Sequence, residues 1–274
     1  MQEIKIDNEL CTGCGTCISA CGQGIIQKSG GNDCPVVVPE LVPYCSRCGH
    51  CEAACPEAAI SVEYPEAGPV PRYSRGKKIS PGDIGSLMTM RRSVRHFTKE
   101  PVSKETLKEI LDVVRYAPTG MNGQSVHWLI LTDPAEINKL ASLIIDWGRE
   151  IVKKEPDFPL SPVLSTLIAK WDEGIDPICH SAPCIAVAYG AEENPIAFID
   201  SVIALTHLDL AAPVFGLGTC WAGFVQIAAN SSPEVAASLD LPEGFKPQYA
   251  MMIGHPAEKF HNIPKRNSLR VTWG

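Results

Sequence analysis

From about residue 82 onward, short apolar runs alternate with longer stretches in which apolar and polar residues recur at helical spacing. VHWLILTD, PCIAVAYG, TCWAGFVQI and PQYAMMIGHP read as strands. SKETLKEILDVVRYA reads as a helix, and further helices are expected around 136–153, 161–172, 195–215 and 232–240. Apolar strands separated by helices predict a mixed α/β sheet covered on both faces. The longest apolar stretch, Pro195 to Gly218, contains Asp200, His207 and Asp209. Two carboxylates near the middle of a bilayer span are costly, so this stretch reads as a buried core helix.

Residues 1–63 have a different organisation, set by cysteine. Nine of the 12 cysteines precede residue 56. Between this head and the helical part, Tyr64 to Pro81 holds four prolines and no apolar period, which predicts an extended linker over 64–81. The expected organisation is therefore a small domain over 1–63 and a larger one over 82–274. Ser80 suits an N-cap and Pro81 a first helical turn, so the larger domain should open with a helix.

Within the head, Cys11, Cys14, Cys17 and Cys21 have C-x2-C-x2-C-x3-C spacing, and Cys45, Cys48, Cys51 and Cys55 repeat it with Pro56 directly after. Three closely spaced thiolates point at one cubane, while the fourth cysteine of each run ligates the other cluster. That logic assigns Cys11, Cys14, Cys17 and Cys55 to one [4Fe-4S] cluster. Cys45, Cys48, Cys51 and Cys21 then hold the second. The head resembles a bacterial two-cluster ferredoxin over roughly residues 3–63, with Gly22 where that family usually has proline. A pair of zinc sites is the competing reading, but zinc ligands usually come as two pairs. Cys34 falls outside both runs and reads as a buried or loop thiol.

The formal net charge of -7 offers no basic stretch for nucleic acid or a membrane surface. The start MQEIKIDNEL lacks a signal-peptide pattern, and a cytoplasmic location is expected. Cysteines in a reducing compartment hold metal more readily than they form disulfides.

Two segments of the larger domain suit a phosphorylated ring cofactor. Arg91, Arg92, Ser93 and Arg95 crowd guanidiniums and a hydroxyl together, as a phosphate requires, although a solvated cationic helix end fits the same residues. The loop from Ala117 to Gln124 is polar and follows a helix. Asn122 and Gln124 offer the donors and acceptors that a flavin edge needs, and an ordinary helix-to-strand turn has the same composition.

Taken with Gly216–Gly223 and Ile253–Pro256, these segments resemble the nitroreductase family in order and spacing over residues 84–274. The resemblance implies an α+β chain, with the ferredoxin-like domain fused to a dimeric nitroreductase-like flavin domain. It implies FMN held by Arg91, Arg92 and Ser93 at the phosphate and ribityl chain, with Arg95 near N1 and O2. Pro118, Thr119, Asn122 and Gln124 would reach the flavin, in part from the partner subunit of a homodimer. The backbone at Ala222 and Gly223 would face N5 and O4 beside Trp221, which could equally be core, and Lys265 or Arg266 would complete the phosphate site. Relatives often carry Glu where Ala222 stands, so their substrate preferences do not transfer. Gly216-Leu217-Gly218 follows a helix and lacks the third glycine of a dinucleotide fingerprint.

The implied activity is two-electron reduction of a small-molecule electrophile, such as a nitroaromatic or a quinone. Ferredoxin or NAD(P)H would be the electron donor, with the clusters as relay. Two alternatives stand beside it: an electron carrier or redox sensor without substrate chemistry, and a flavin dehalogenase or dehydrogenase. Cys179, His180 and Cys184 read as buried core rather than a metal site, and His207 as a hydrogen-bonded core or interface residue.

Overall fold

The computed structural model describes residues 4–31, 34–64 and 78–274. Its contacts divide the chain into two units, Met1–Arg72 with Thr119–Gly123, and Tyr73–Pro118 with Gln124–Gly274. Most of the expected linker 64–81, residues 65–77, lies outside the described residues.

The first unit runs β1 (Ile4–Ile6), α1 (Thr16–Ala20), β2 (Ile26–Lys28), β3 (Pro35–Val37), α2 (His50–Ala54) and β4 (Ile60–Val62). β1 pairs antiparallel with β4, and β2 with β3. The repeat in the cysteines extends to the backbone. Gly15 and Gly49 open α1 and α2 at φ 72° and 70°, and each helix ends on the fourth cysteine of its run. Among the described residues the unit's buried core is small, a cluster of Ile26, Cys51, Ile60 and Val62 with Ile25 and Ala59 also buried. Two-stranded sheets over so small a core are marginal without a bound metal or disulfides.

The second unit opens with α3 (Pro81–Met90), where Ser80 and Asp83 form a capping box and Pro81 sits in the first turn. α4 (Lys104–Val114) buries Leu107, Ile110 and Val114, the i, i+3, i+7 stripe of an amphipathic helix. Then follow β5 (His127–Leu131), α5 (Pro134–Lys154), α6 (Ser161–Asp172), β6 (Cys184–Ala191), α7 (Ala197–Ala211), β7 (Gly218–Trp221), α8 (Gly223–Ser231), α9 (Pro233–Ala237) and β8 (Phe245–Gly254). The sheet order is β5-β6-β8-β7. All three pairings are antiparallel, and the parallel contact of the expected mixed sheet is an isolated bridge from Ser93 to Thr219.

Strand alternation distributes the core between the two faces. Ile185, Val187, Ala250 and Met252 pack with α5, α6, α8 and α9. Cys184, Ala186, Ala188, Met251 and Ile253 pack with α4 and α7. The expected strand TCWAGFVQI is half wrong: it leaves the sheet at Trp221, and α8 begins at Gly223. From there Val225, Ala228 and Ala229 are buried at helical spacing, which defeats the period-2 reading of the run.

Among the described residues, Ala197–Phe215 is the one helical run long and apolar enough to cross a membrane. Here it lies on the sheet through Ala204, Leu205 and Leu208, with Asp200 and Asp209 also buried. Phe198 and Ile199 are exposed on the same helix, so it is a core helix along one face only.

Candidate functional site

The segment after α3 leaves the helical path at Arg91 and runs along the β7 side of the sheet. Val94 N–H donates to the Thr219 carbonyl at 2.8 Å, Thr98 N–H to the His255 carbonyl at 2.8 Å, and Ala257 N–H to the His96 carbonyl at 3.0 Å. Two glycines permit this approach. A Cβ on Gly218 would lie 2.4 Å from Val94 Cγ2, and one on Gly254 would lie 2.7 Å from both Phe97 and Pro183. The polar residues of the segment are thereby held by backbone pairing.

Arg91 is anchored by a buried carboxylate. Its Nη1 lies 3.3 Å from Asp209 Oδ2, and Asp209 Oδ1 accepts from the Thr219 hydroxyl. Arg92 Nη2 donates to the Thr89 carbonyl, while its Nε is buried with no hydrogen-bond partner. An orphaned buried donor is costly, and an anionic oxygen beside it removes that cost. Arg95 is exposed. Burial raises the Cys220 thiol above its ordinary range, while the Arg95 charge and a Ser93 hydrogen bond act the other way.

Beyond Cys220, Trp221 meets Tyr249 edge to face at 5.0 Å between ring centres. Ala222 is buried, and its N–H already donates to the Ala250 carbonyl at 2.9 Å. Of the two backbone groups expected at a flavin edge, Gly223 therefore opens α8 without a side-chain cap, and Ala222 is tied into the sheet. Lys265 and Arg266 stand in an exposed run, 257–274, where Arg266 Nη1 donates to the neighbouring Lys265 carbonyl at 3.2 Å.

Pro118 and Gln124 are exposed in the second unit, whereas Thr119 and Asn122 belong to the first. The turn between them is strained: Met121, Asn122 and Gln124 have φ of 52°, 53° and 46°. Asn122 Nδ2 donates to the Ser46 carbonyl at 3.1 Å and to the Arg47 carbonyl at 3.0 Å, a use its sequence position does not announce.

In the first unit, Cys11, Cys14, Cys17 and Cys55 line one cavity with Thr12, Gly15 and Pro56. Nearby thiols also leave their mark on one another. Cys17 is raised by burial first and then by Cys11 and Cys14, and Cys51 is pushed up to about 11 by burial, with Cys21 and Cys48 adding to it. Cys21 of the first run thus lies close enough to Cys51 of the second for its charge to be felt there. Backbone N–H groups aim at the sulfurs: Ile25 at Cys21 (3.3 Å), Ala59 at Cys55 (3.2 Å) and Arg47 at Cys45 (3.4 Å). Among the described residues no three Cys, His, Asp or Glu side chains close on a single ion, and a cubane holds its thiolates further apart than one ion does. The half-buried Cys34 points its sulfur at the Cys11 carbonyl, 3.9 Å away.

The residues set aside as core have these settings. Cys179 and Cys184 are fully buried, which raises both thiols, Cys184 to about 12. His180 is lowered, chiefly by burial. His207 is exposed in this chain, its Nδ1 2.9 Å from the Ile203 carbonyl.

Comparison with known proteins bears on the family and the fold. The 4Fe-4S binding domain profile matches residues 4–27. The chain is 28% identical over 185 residues to the protein named FMN reductase, NAD(P)H, of Bacillus subtilis (strain 168), covering 67% of this chain and 70% of that one. A nitroreductase with bound FMN from Bacteroides fragilis NCTC 9343 superposes with a TM-score of 0.55 at 22% identity, over 69% of this chain and 95% of that one. Oxidised iodotyrosine deiodinase bound to FMN and 3-iodo-L-tyrosine superposes at 0.54 and 22%, over 70% and 98%. These two likenesses are of fold. The Nitroreductase family profile spans residues 88–255, from the end of α3 to the end of β8, and with it the chain belongs to the nitroreductase family, as an FMN-dependent oxidoreductase with a 4Fe-4S motif.

Proposed function

We propose that this protein reduces a small electrophile, such as a nitroaromatic or a quinone, by two electrons at FMN, and that two [4Fe-4S] clusters relay those electrons. The observation that carries the flavin half is the orphaned Arg92 Nε between Arg91 and Ser93, on a segment held to the sheet edge by backbone bonds. Arg91, Arg92 and Ser93 hold the phosphate and ribityl chain, with Lys265 or Arg266 from the exposed tail. Arg95 places positive charge where a reduced ring gathers negative charge. Gly223 offers its backbone to the ring edge and Trp221 walls the pocket. The family resemblance adds Pro118, Thr119, Asn122 and Gln124, in part from a second copy of the chain. When bound, FMN supplies hydride transfer at N5. The protein supplies position and charge, and no side chain is assigned as general acid.

The relay half rests on the two four-cysteine sets, Cys11, Cys14, Cys17 and Cys55, and Cys45, Cys48, Cys51 and Cys21. Exposed Leu269 and Trp273 in the tail, with Ile84 and Met88 on α3, favour a homodimer. The donor is ferredoxin or NAD(P)H. The discriminating experiment is anaerobic FMN reduction with each donor, in the wild type and in Cys14→Ser with Cys48→Ser. Reduction by ferredoxin that is lost in the double variant supports the relay. Turnover with NADH that is unaffected in the double variant, together with no reduction by ferredoxin, refutes it. Saturable turnover of nitro and quinone acceptors separates an enzyme from a carrier or sensor. The deiodinase likeness makes halogenated phenols a further acceptor class to include.

A further inference from the structure

At two places where the first half of the cysteine repeat has a left-handed glycine, Gly13 and Gly24, the second half holds a residue with a Cβ in the same conformation, Arg47 and Ala58, and the Arg47 turn has a partner elsewhere in the chain. In the first ligand turn, Cys11-Thr12-Gly13-Cys14, the left-handed residue is Gly13 at φ 70°. The matching turn is Cys45-Ser46-Arg47-Cys48, and there Arg47 takes the same conformation at φ 50°. Glycine adopts this region freely, whereas a residue with a Cβ is strained in it and persists only where its surroundings hold it. Here the restraint is Asn122. Its amide nitrogen donates to the carbonyls of Ser46 and Arg47, the two residues between Cys45 and Cys48, so both amide hydrogens are committed to this turn. Holding Arg47 there aims its own N–H at Cys45 Sγ, 3.4 Å away. Hydrogen bonds to cluster sulfurs are one of the levers that set a cluster's potential and retention. Among the described residues no side chain is recorded donating to the carbonyls of Thr12 or Gly13, and that turn has glycine in Arg47's place.

We propose that Asn122 is a positioning residue for the second cluster. It fixes the Cys45–Cys48 turn and, through Arg47, the N–H bond to Cys45, so that the two clusters differ in potential and in iron retention. This inference rests on the two-cluster reading. The strain shared by Met121, Asn122 and Gln124 fits the role, because the turn holds Asn122 in a conformation that asparagine tolerates better than most residues.

The test uses anaerobically purified full-length protein, with iron release to a chelator and cluster midpoint potentials as readouts. Wild type should contain about eight irons per chain. In a Cys14→Ser background, where the second cluster remains, Asn122→Ala should speed iron release roughly tenfold and shift the midpoint, as loss of two half-buried hydrogen bonds implies. Asn122→Asp keeps the shape but turns carboxylate oxygens toward two carbonyls, so it should be worse than alanine. Adding Arg47→Gly, which removes the strain, should restore retention toward wild type. In a Cys48→Ser background, where the first cluster remains, the Asn122 substitutions should alter neither that cluster's iron release nor its midpoint potential. Equal effects on both clusters, or Asn122→Asp indistinguishable from wild type, would overturn the proposal. Wild type holding only about four irons would instead sink the two-cluster reading on which it stands.

Discussion

Arg91 Nη1 lies 3.3 Å from Asp209 Oδ2, and the Asp209 side chain is only 8% exposed. The carboxylate's other oxygen is occupied by the Thr219 hydroxyl, so Asp209 joins α7, β7 and the start of the arginine segment. Asp209→Ala would leave Arg91 unanchored and Thr219 unpaired, at a cost of about 3 kcal/mol. Asp209→Asn retains the acceptor for Thr219 and should cost less, yet should still weaken FMN retention because Arg91 loses its counter-charge. Urea unfolding and flavin content after gel filtration separate the two effects. Unchanged flavin content in Asp209→Asn would show that Arg91 needs no anchor.

The close approach of the arginine segment to the sheet predicts a second effect. Gly218→Ala drives a methyl into Val94, and Gly254→Ala drives one into Phe97 and the stiff Pro183 ring. Each should destabilise by about 1–3 kcal/mol, and the displaced segment should release FMN. Gly216→Ala, with open space around its Cβ, carries only the strain of its φ of 74° and should keep its flavin. Full flavin occupancy in Gly218→Ala would contradict the assigned path of residues 91–97.

Buried thiols give the protein an alkaline limit. Burial pushes Cys184 up to about 12, against about 9 when unfolded, so the native state binds a proton there that the unfolded state releases. The resulting stabilisation is fully present below about pH 9 and is lost as pH rises toward 12. At pH 9, iodoacetamide should label Cys184 only after denaturation. Cys184→Ala should flatten the fall in stability over that pH window. Rapid native labelling of Cys184, mapped by mass spectrometry, would contradict its burial.

The proposed crossing of the fourth cysteines predicts which cluster each variant loses. Cys21→Ser should destroy the cluster held by Cys45, Cys48 and Cys51, and Cys55→Ser the one held by Cys11, Cys14 and Cys17. Each variant should fall from about eight irons to about four. Mössbauer or EPR spectra of the surviving cluster should match Cys48→Ser in the first case and Cys14→Ser in the second. The opposite match would show that each run closes its own cluster.

How much of this was legible in the sequence depended on how local the cause was. The cysteine runs are local, so their spacing announced a repeat whose two short helices, each opened by a glycine, recur in register. The capping box at Ser80 and Asp83 was half visible, because Ser80 and Pro81 are adjacent to the helix they start. Arg91, Arg92 and Ser93 were visible as a cluster, but not the buried Asp209 that holds Arg91 from another helix. Trp221 to Gly223 misled, because a strand and a helix meet there with apolar residues throughout, and only the burial of Val225, Ala228 and Ala229 reveals the change of period. The bond from Asn122 to the Ser46 and Arg47 carbonyls joins residues some 75 positions apart, and no local pattern encodes it.

The most direct test of the central claim, that one chain carries a flavin site and two cubane clusters, is metal and flavin analysis of anaerobically purified protein alongside its absorbance spectrum. The expected result is about eight irons, with sulfide to match, and one FMN per chain. Zinc in place of iron, or about four irons with full flavin, would contradict it.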